Sequence, residues 1–115
     1  MAVDHSNLAP GNLGIVTKRV AMAATAGNAV QVTTPKLSKR IAMQFTTSDG
    51  VTAELGKYTD SGTDGAAIGN DVFLVRASAA YEDRINGGGD IYLAGSSNSG
   101  YCYISYGFYE VDGQG

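Results

Sequence analysis

The chain has 115 residues, the length of a single domain that buries one core without disulfides or metals. Its 16 glycines, seven tyrosines, two prolines and short β-branched runs are typical of an all-β protein with tight turns. The net charge is -3 with no basic patch beyond two Lys-Arg pairs, so we expect no nucleic-acid partner. No apolar run approaches the ~20 residues of a membrane span, so we expect no membrane partner either.

The charge is divided unevenly along the chain. Residues 1–57 carry six Lys or Arg and three acids, and residues 58–115 carry two Lys or Arg and eight acids. Two ordinarily solvated faces are the simpler interpretation. The alternative is a dipolar particle suited to head-to-tail or side-to-side contact between copies.

The first half of the chain predicts an arm followed by strands. Residues 1–14 are polar, contain Pro10 and Gly11, and predict an extended N-terminal arm. Residues 15–24 predict a strand, residues 25–28 a turn and residues 29–33 the returning strand of a hairpin. Residues 38–47 predict a long strand that presents Ile41, Met43 and Phe45 to one side. After a hairpin turn at residues 48–50, the alternation predicts a second inward row, which consists of Val51, Ala53 and Leu55.

The second half predicts loops and short strands. Residues 59–70 predict a loop, and the apolar run 72–75 predicts a strand that is buried on both sides. Residues 81–84 predict a single helical turn or a bend. Residues 91–93 predict a strand that pairs with the last strand across a hairpin at 95–100.

The last strand, near residues 101–109, is the densest apolar and aromatic stretch of the chain. Alternation places a core stripe on one face, which consists of Cys102, Ile104, Tyr106 and Phe108. A tyrosine row, which consists of Tyr101, Tyr103 and Tyr109, lies on the other face. Tyr is enriched at protein–protein interfaces, so this row is a candidate contact surface.

These elements predict an all-β fold, an antiparallel β-sandwich or flattened barrel of about seven to eight short strands with an extended N-terminal arm. The domain boundaries that we expect are an arm at residues 1–14, a β-sandwich domain at residues 15–111 and a short C-terminal tail at residues 112–115.

The sequence offers no catalytic group and no cofactor site. His5 is the one histidine and lies in the polar arm, where no third group is expected to hold it for acid–base catalysis. Cys102 is the one cysteine, so no internal disulfide forms, and its apolar strand predicts a buried thiol. One histidine and one cysteine do not make a zinc site. We therefore predict a non-enzymatic protein without a cofactor.

One acidic loop imitates a calcium-binding loop. Asp60, Asp64 and Asp71 occupy its first, fifth and twelfth places, and Gly65 occupies the sixth. Gly62 stands at the third place, where an acid or amide is usual, and no helix is predicted on either side. We therefore interpret the segment as an acidic, turn-rich loop and predict no metal site.

Two stretches resemble a known family. Residues 25–33 (TAGNAVQVT) followed by residues 39–44 (KRIAMQ) are similar to the opening hairpin and strand of small β-sandwich virion proteins encoded by tailed bacteriophages. Residues 90–95 (DIYLAG), a Ser/Gly turn and the Tyr-rich last strand are similar to the closing hairpin of those proteins. The resemblance covers roughly residues 23–109. Residues 49–56 (DGVTAELG) depart from the family segment at that place, because they lack its aromatic residue.

The resemblance implies a structural component of a virion, and most often a capsid decoration (cement) protein on the capsid exterior. The implied partners are the major capsid protein and further copies of the chain in a homotrimer. Synthesis in the host cytoplasm is expected, because residues 1–7 lack the pattern of a signal peptide. A tail, neck or fibre component is the alternative within this class, and a glycan-binding β-sandwich module is the alternative outside it. The candidate contact residues are His5, Leu8, Pro10, Tyr101, Tyr103 and Tyr109.

Overall fold

A computed structural model describes residues 15–78 and 81–108. Over these residues the chain forms nine strands and no α-helix. The strands are β1 (Ile15–Ala21), β2 (Val30–Thr33), β3 (Arg40–Thr46), β4 (Ala53–Glu54), β5 (Gly56–Thr59), β6 (Phe73–Val75), β7 (Tyr81–Arg84), β8 (Asp90–Gly95) and β9 (Tyr101–Gly107). The predicted arm and the tail at residues 112–115 lie outside the described residues.

Two antiparallel sheets face each other, which confirms the predicted all-β sandwich. The five-stranded sheet has the order β1-β9-β3-β4. Strand β7 belongs to the same sheet and pairs with residues 40–43 of β3, along the edge on which β4 pairs with residues 45–46. The four-stranded sheet has the order β2-β8-β5-β6. Most of the core lies between the sheets and includes Ile41, Met43, Phe45, Tyr58, Val75, Ile91, Leu93, Cys102, Ile104 and Tyr106.

Strand β9 is central to the five-stranded sheet, as its apolar sequence suggests. It pairs with β1 over seven residues and with β3 over seven residues. Cys102, Ile104 and Tyr106 are at most 1% exposed, which confirms three members of the predicted core stripe, and the fourth, Phe108, packs against the core but is only partly buried. Tyr101 and Tyr103 are half-buried on the opposite face, as alternation predicts. Tyr109 lies outside the described residues.

Two predicted hairpins are wrong, namely the one at residues 15–33 and the one that joins residues 91–93 to the last strand. In both places the chain crosses to the other sheet, where we expected it to turn back. β1 pairs with β9, whereas β2 pairs with β8 in the other sheet. In the same way, the turn at residues 96–100 carries the chain from β8 in one sheet to β9 in the other. The turns themselves are where the glycines predict them, and only the partner strands differ. Turn residues fix where a chain reverses, but they do not fix which strand it pairs with.

The hairpin between β3 and β4 is confirmed, but the predicted inward row after it is wrong. Val51 is 81% exposed, Leu55 is 42% exposed and Ala53 is also exposed, whereas Glu54 is only 8% exposed. The carboxylate of Glu54 accepts a hydrogen bond from the backbone N–H of Ser96 at 3.2 Å. The buried Glu54 thus satisfies a backbone N–H in the turn that connects the two sheets. Because side chains alternate along a strand, its neighbours Ala53 and Leu55 then point outward.

Two further predictions fail at the edges of the sheets. Strand β6 is not buried on both sides, because it is the outermost strand of its sheet, with Phe73 60% and Leu74 54% exposed. Residues 81–84 form strand β7 rather than a helical turn, since they pair with β3. A run of four apolar residues predicts a strand but not its position in the sheet.

Candidate interaction surface

The outer surface of the five-stranded sheet carries tyrosine and arginine side chains. Because directly paired residues share a face, the register places Arg19 of β1, Tyr103 of β9 and Gln44 of β3 side by side. The next row consists of Thr17, Ser105, Ala42 and Glu82. We call this surface, with Tyr101 beside it, the outer face. Tyr and Arg are among the residue types that are enriched at interfaces, and both carry large contact energies there.

Contacts along the outer face fix the positions of its side chains. The Arg19 guanidinium lies 4.5 Å from the centre of the Tyr101 ring, a cation–π contact. The Tyr103 hydroxyl donates to the carbonyl oxygen of Gly50 at 2.9 Å. The hydroxyl oxygens of Thr17 and Ser105 lie 2.9 Å apart. Side chains that are already ordered lose less conformational entropy when a partner binds.

The outer surface of the four-stranded sheet is different, because a segment of the chain covers part of it. Residues 60–70 lie across this surface and are held by backbone hydrogen bonds, from Gly65 N–H to the Ala29 carbonyl at 2.8 Å and from Ile68 N–H to the Gly27 carbonyl at 3.0 Å. The ring of Tyr92 packs under Gly62. Of the two outer sheet surfaces, the one that carries Arg19 and Tyr103 is therefore the one not covered by this loop.

A second feature is an open groove of about 770 Å³ at one end of the sandwich, where β6 and β7 approach each other. Four carboxylate residues line it: Asp60, Asp71, Asp83 and Asp90. The basic residue in the lining is Arg84. Tyr58 and Phe73 form an aromatic wall, with ring centres 6.2 Å apart. We call this feature the acidic groove.

The pKa values of two tyrosines at or near the groove are raised. Burial is the main cause for Tyr58, and the negative charges of Asp83 and Asp60 add to it. The pKa of Tyr81 is also raised, first by burial and then by its hydrogen bond to the Asp83 carboxylate, at 2.8 Å. Both hydroxyls therefore stay protonated at neutral pH.

The structure does not bring the calcium-like loop together. Asp60 and Asp71 line the acidic groove, whereas the Asp64 carboxylate accepts the backbone N–H of Gln31 at 2.8 Å. Within residues 15–78 and 81–108 there is no group of three or more His, Cys, Asp or Glu side chains placed to hold a metal ion. The thiol of Cys102 is fully buried, and burial raises its pKa to about 12.

Of the six predicted contact residues, Tyr101 and Tyr103 lie on or beside the outer face. His5, Leu8, Pro10 and Tyr109 lie outside the described residues. Sequence reasoning missed Arg19 as their neighbour, because the pairing of β1 with β9 joins positions 80 or more residues apart. Sequence reasoning also missed the groove, and the excess of acids after residue 58 was the one signal of it.

No protein-family model matches the chain, and no curated protein matches it. Among solved structures, the chain is similar to a protein of Bacillus endospore appendages, which are described as a novel family of disulfide-linked pili. The identity is 18%, the match covers 83% of this chain and 89% of that chain, and the TM-score is 0.32. In the described part of this chain, no helix has the length and apolar character needed to cross a membrane.

Proposed function

We propose that this chain is a non-enzymatic structural protein of a bacteriophage virion, and specifically a capsid decoration (cement) protein. In this role it binds the exterior of the shell and stabilises contacts between major capsid subunits. The family resemblance of residues 23–109 suggests the role. One observation supports it: the loop at residues 60–70 lies over part of one outer sheet surface, whereas within residues 15–78 and 81–108 the other outer surface presents exposed Arg19 beside half-buried Tyr101 and Tyr103.

The outer face suits a protein that binds a large repetitive surface. Arg19 and Tyr103 offer a charge, a hydrogen-bonding hydroxyl and flat apolar area within one row of the sheet. Contacts of this kind are individually modest, but many copies on one particle make them collectively strong. Self-association into a homotrimer is part of the proposal, since decoration proteins of the resembled family occupy threefold positions. The proposal assigns no catalytic residue and no cofactor.

A glycan-binding module is the second candidate, and the acidic groove favours it. Phe73 is 60% exposed at the groove, beside Tyr58 and the polar groups of Asp60 and Asn70. An aromatic wall with a few polar groups in an open groove of this size is typical of small-ligand sites. Under this candidate, the groove rather than the outer face binds the partner.

The number of copies per particle separates these roles. It is measured by quantitative mass spectrometry on purified particles, against the major shell protein. We expect hundreds of copies per particle for a decoration protein. Between a few and a few dozen copies assign the chain to the neck, tail or fibre instead. Complete absence from particles overturns the virion proposal, and a glycan-array screen of the purified protein then tests the second candidate.

A further inference from the structure

The end of the sandwich that carries the acidic groove also carries an exposed basic turn. Residues 35–39 connect β2 to β3, and we call them the basic turn. Leu37, at its tip, is 73% exposed, and Lys36 and Lys39 on either side are exposed as well. An exposed leucine between two lysines is complementary in charge and polarity to an apolar site with an acidic rim.

The basic turn is held in one shape, so Leu37 is presented rigidly. The backbone N–H of Ser38 donates to the Pro35 carbonyl at 3.1 Å, and the Gly87 N–H donates to the Ser38 carbonyl at 3.0 Å. Ser38 itself is fully buried, and its hydroxyl also donates to the Pro35 carbonyl. A preorganised turn loses little entropy on binding.

The acidic groove has the complementary character. Its four carboxylates and Arg84 leave a net charge of about -3 at neutral pH. Phe73 places an exposed apolar ring at its wall. Among the described residues, the carboxylates of Asp60 and Asp71 have no hydrogen-bond or ion-pair partner, so both are available to a ligand. Leu37 does not line the groove of its own copy.

We propose that the basic turn of one copy binds in the acidic groove of a second copy. Leu37 packs on the exposed ring of Phe73, and the ammonium groups of Lys36 and Lys39 approach Asp60 and Asp71. Charge favours this occupant over the terminal segments, because residues 1–14 and 109–115 contain no Lys or Arg.

The contact joins two different surface patches, so when it repeats head to tail it is heterologous and closes into a ring when the rotation between copies permits. It therefore gives the proposed homotrimer a specific contact and leaves the outer face free. The inference rests on the proposed self-association but not on a phage partner, since purified protein alone tests it. A failure here does not affect the copy number in particles, and the reverse also holds.

The test is charge reversal with complementation, read out as molar mass by sedimentation equilibrium. Lys36→Glu/Lys39→Glu reverses the charge of the basic turn, and Asp60→Lys/Asp71→Lys reverses the charge of two groove carboxylates. In each variant alone, the turn and the groove of neighbouring copies carry charges of the same sign, so we expect at least about tenfold weaker association. Combining both reversals in one chain restores opposite charges at every contact of a ring of any size, so we expect the wild-type mass to return. High salt weakens the wild-type association, because the ion pairs are screened.

Matched controls separate this contact from general charge or apolar effects. Lys18→Glu/Arg76→Glu reverses the same number of basic charges away from the turn, and we expect it to keep the wild-type mass. Leu37→Asp dissociates the oligomer, whereas Val51→Asp, on a different exposed turn, does not. Thermal melting verifies that each variant is folded. A monomeric wild type at about 0.1 mM, or an oligomer that neither reversal weakens, overturns the proposal.

Discussion

Replacing Gly56 by alanine tests how closely the two sheets approach. Gly56 lies in β5 of the four-stranded sheet, and a Cβ at this position overlaps three carbon atoms of the Phe45 ring in the other sheet. Phe45 is 0% exposed, so its ring is enclosed by other core residues and cannot swing out into solvent. Overpacking of this kind costs about 1–3 kcal/mol of unfolding free energy. At about 4 °C per kcal/mol for a chain of this length, we expect the melting temperature to fall by about 4–12 °C.

Three further variants make that experiment decisive. Gly69→Ala is the control, because no atom lies within 4 Å of the added Cβ, and we expect a change within about 0.5 kcal/mol. The double variant Gly56→Ala/Phe45→Leu removes the ring that causes the overlap. We expect it to be about 1 kcal/mol or more stable than the sum of the single effects. Chemical denaturation measures five proteins: the wild type, Gly56→Ala, Phe45→Leu, the double variant and the Gly69→Ala control. A fully stable Gly56→Ala protein, or strictly additive effects, refutes the packing described here.

Two other predictions concern titrating groups. Hydrogen bonds from the side chains and backbone of Thr52, Thr47 and Val51 hold the pKa of Asp49 well below its usual value of 3.8. A carboxylate whose pKa is lowered by folding stabilises the folded protein at pH values above its unfolded-state pKa, and this stabilisation is lost as the pH falls. Between about pH 5 and about pH 2, we therefore expect the melting temperature of Asp49→Asn to fall less than that of the wild type. Equal falls in melting temperature contradict this. The Cys102 thiol, with its pKa raised to about 12, reacts with a thiol reagent only after unfolding. Rapid labelling of the folded protein contradicts its burial.

Local periodicity predicted the faces of the long strands but not those of the short ones. Over seven residues of β9, alternation alone assigned Ile104 and Tyr106 to the core and Tyr103 to the opposite face. Over the two residues of β4, one partly buried hydrogen bond at Glu54 accompanies a reversal of the expected row. A single polar contact outweighs the burial of few apolar atoms when the strand is short.

Strand pairing could not be predicted, because it depends on contacts that are distant in sequence. The pairing of β1 with β9 brings Arg19 beside Tyr103, and no local pattern encodes that neighbour. The acidic groove arises in the same way, since its lining residues come from separate segments that include Asp60, Phe73 and Arg84. The tyrosine row was therefore predicted in part, whereas its basic neighbour and the groove required the assembled fold.

The most direct test of the central claim is binding of single-residue variants to shells that lack the protein. Arg19 and Lys18 are neighbours on β1 and point to opposite faces, so Arg19→Glu and Lys18→Glu make the same charge change on and off the outer face. In a sedimentation binding assay, we expect Arg19→Glu to bind at least about tenfold more weakly than wild type and Lys18→Glu to bind nearly as well. Equal affinities for the two variants contradict a role for the outer face in attachment.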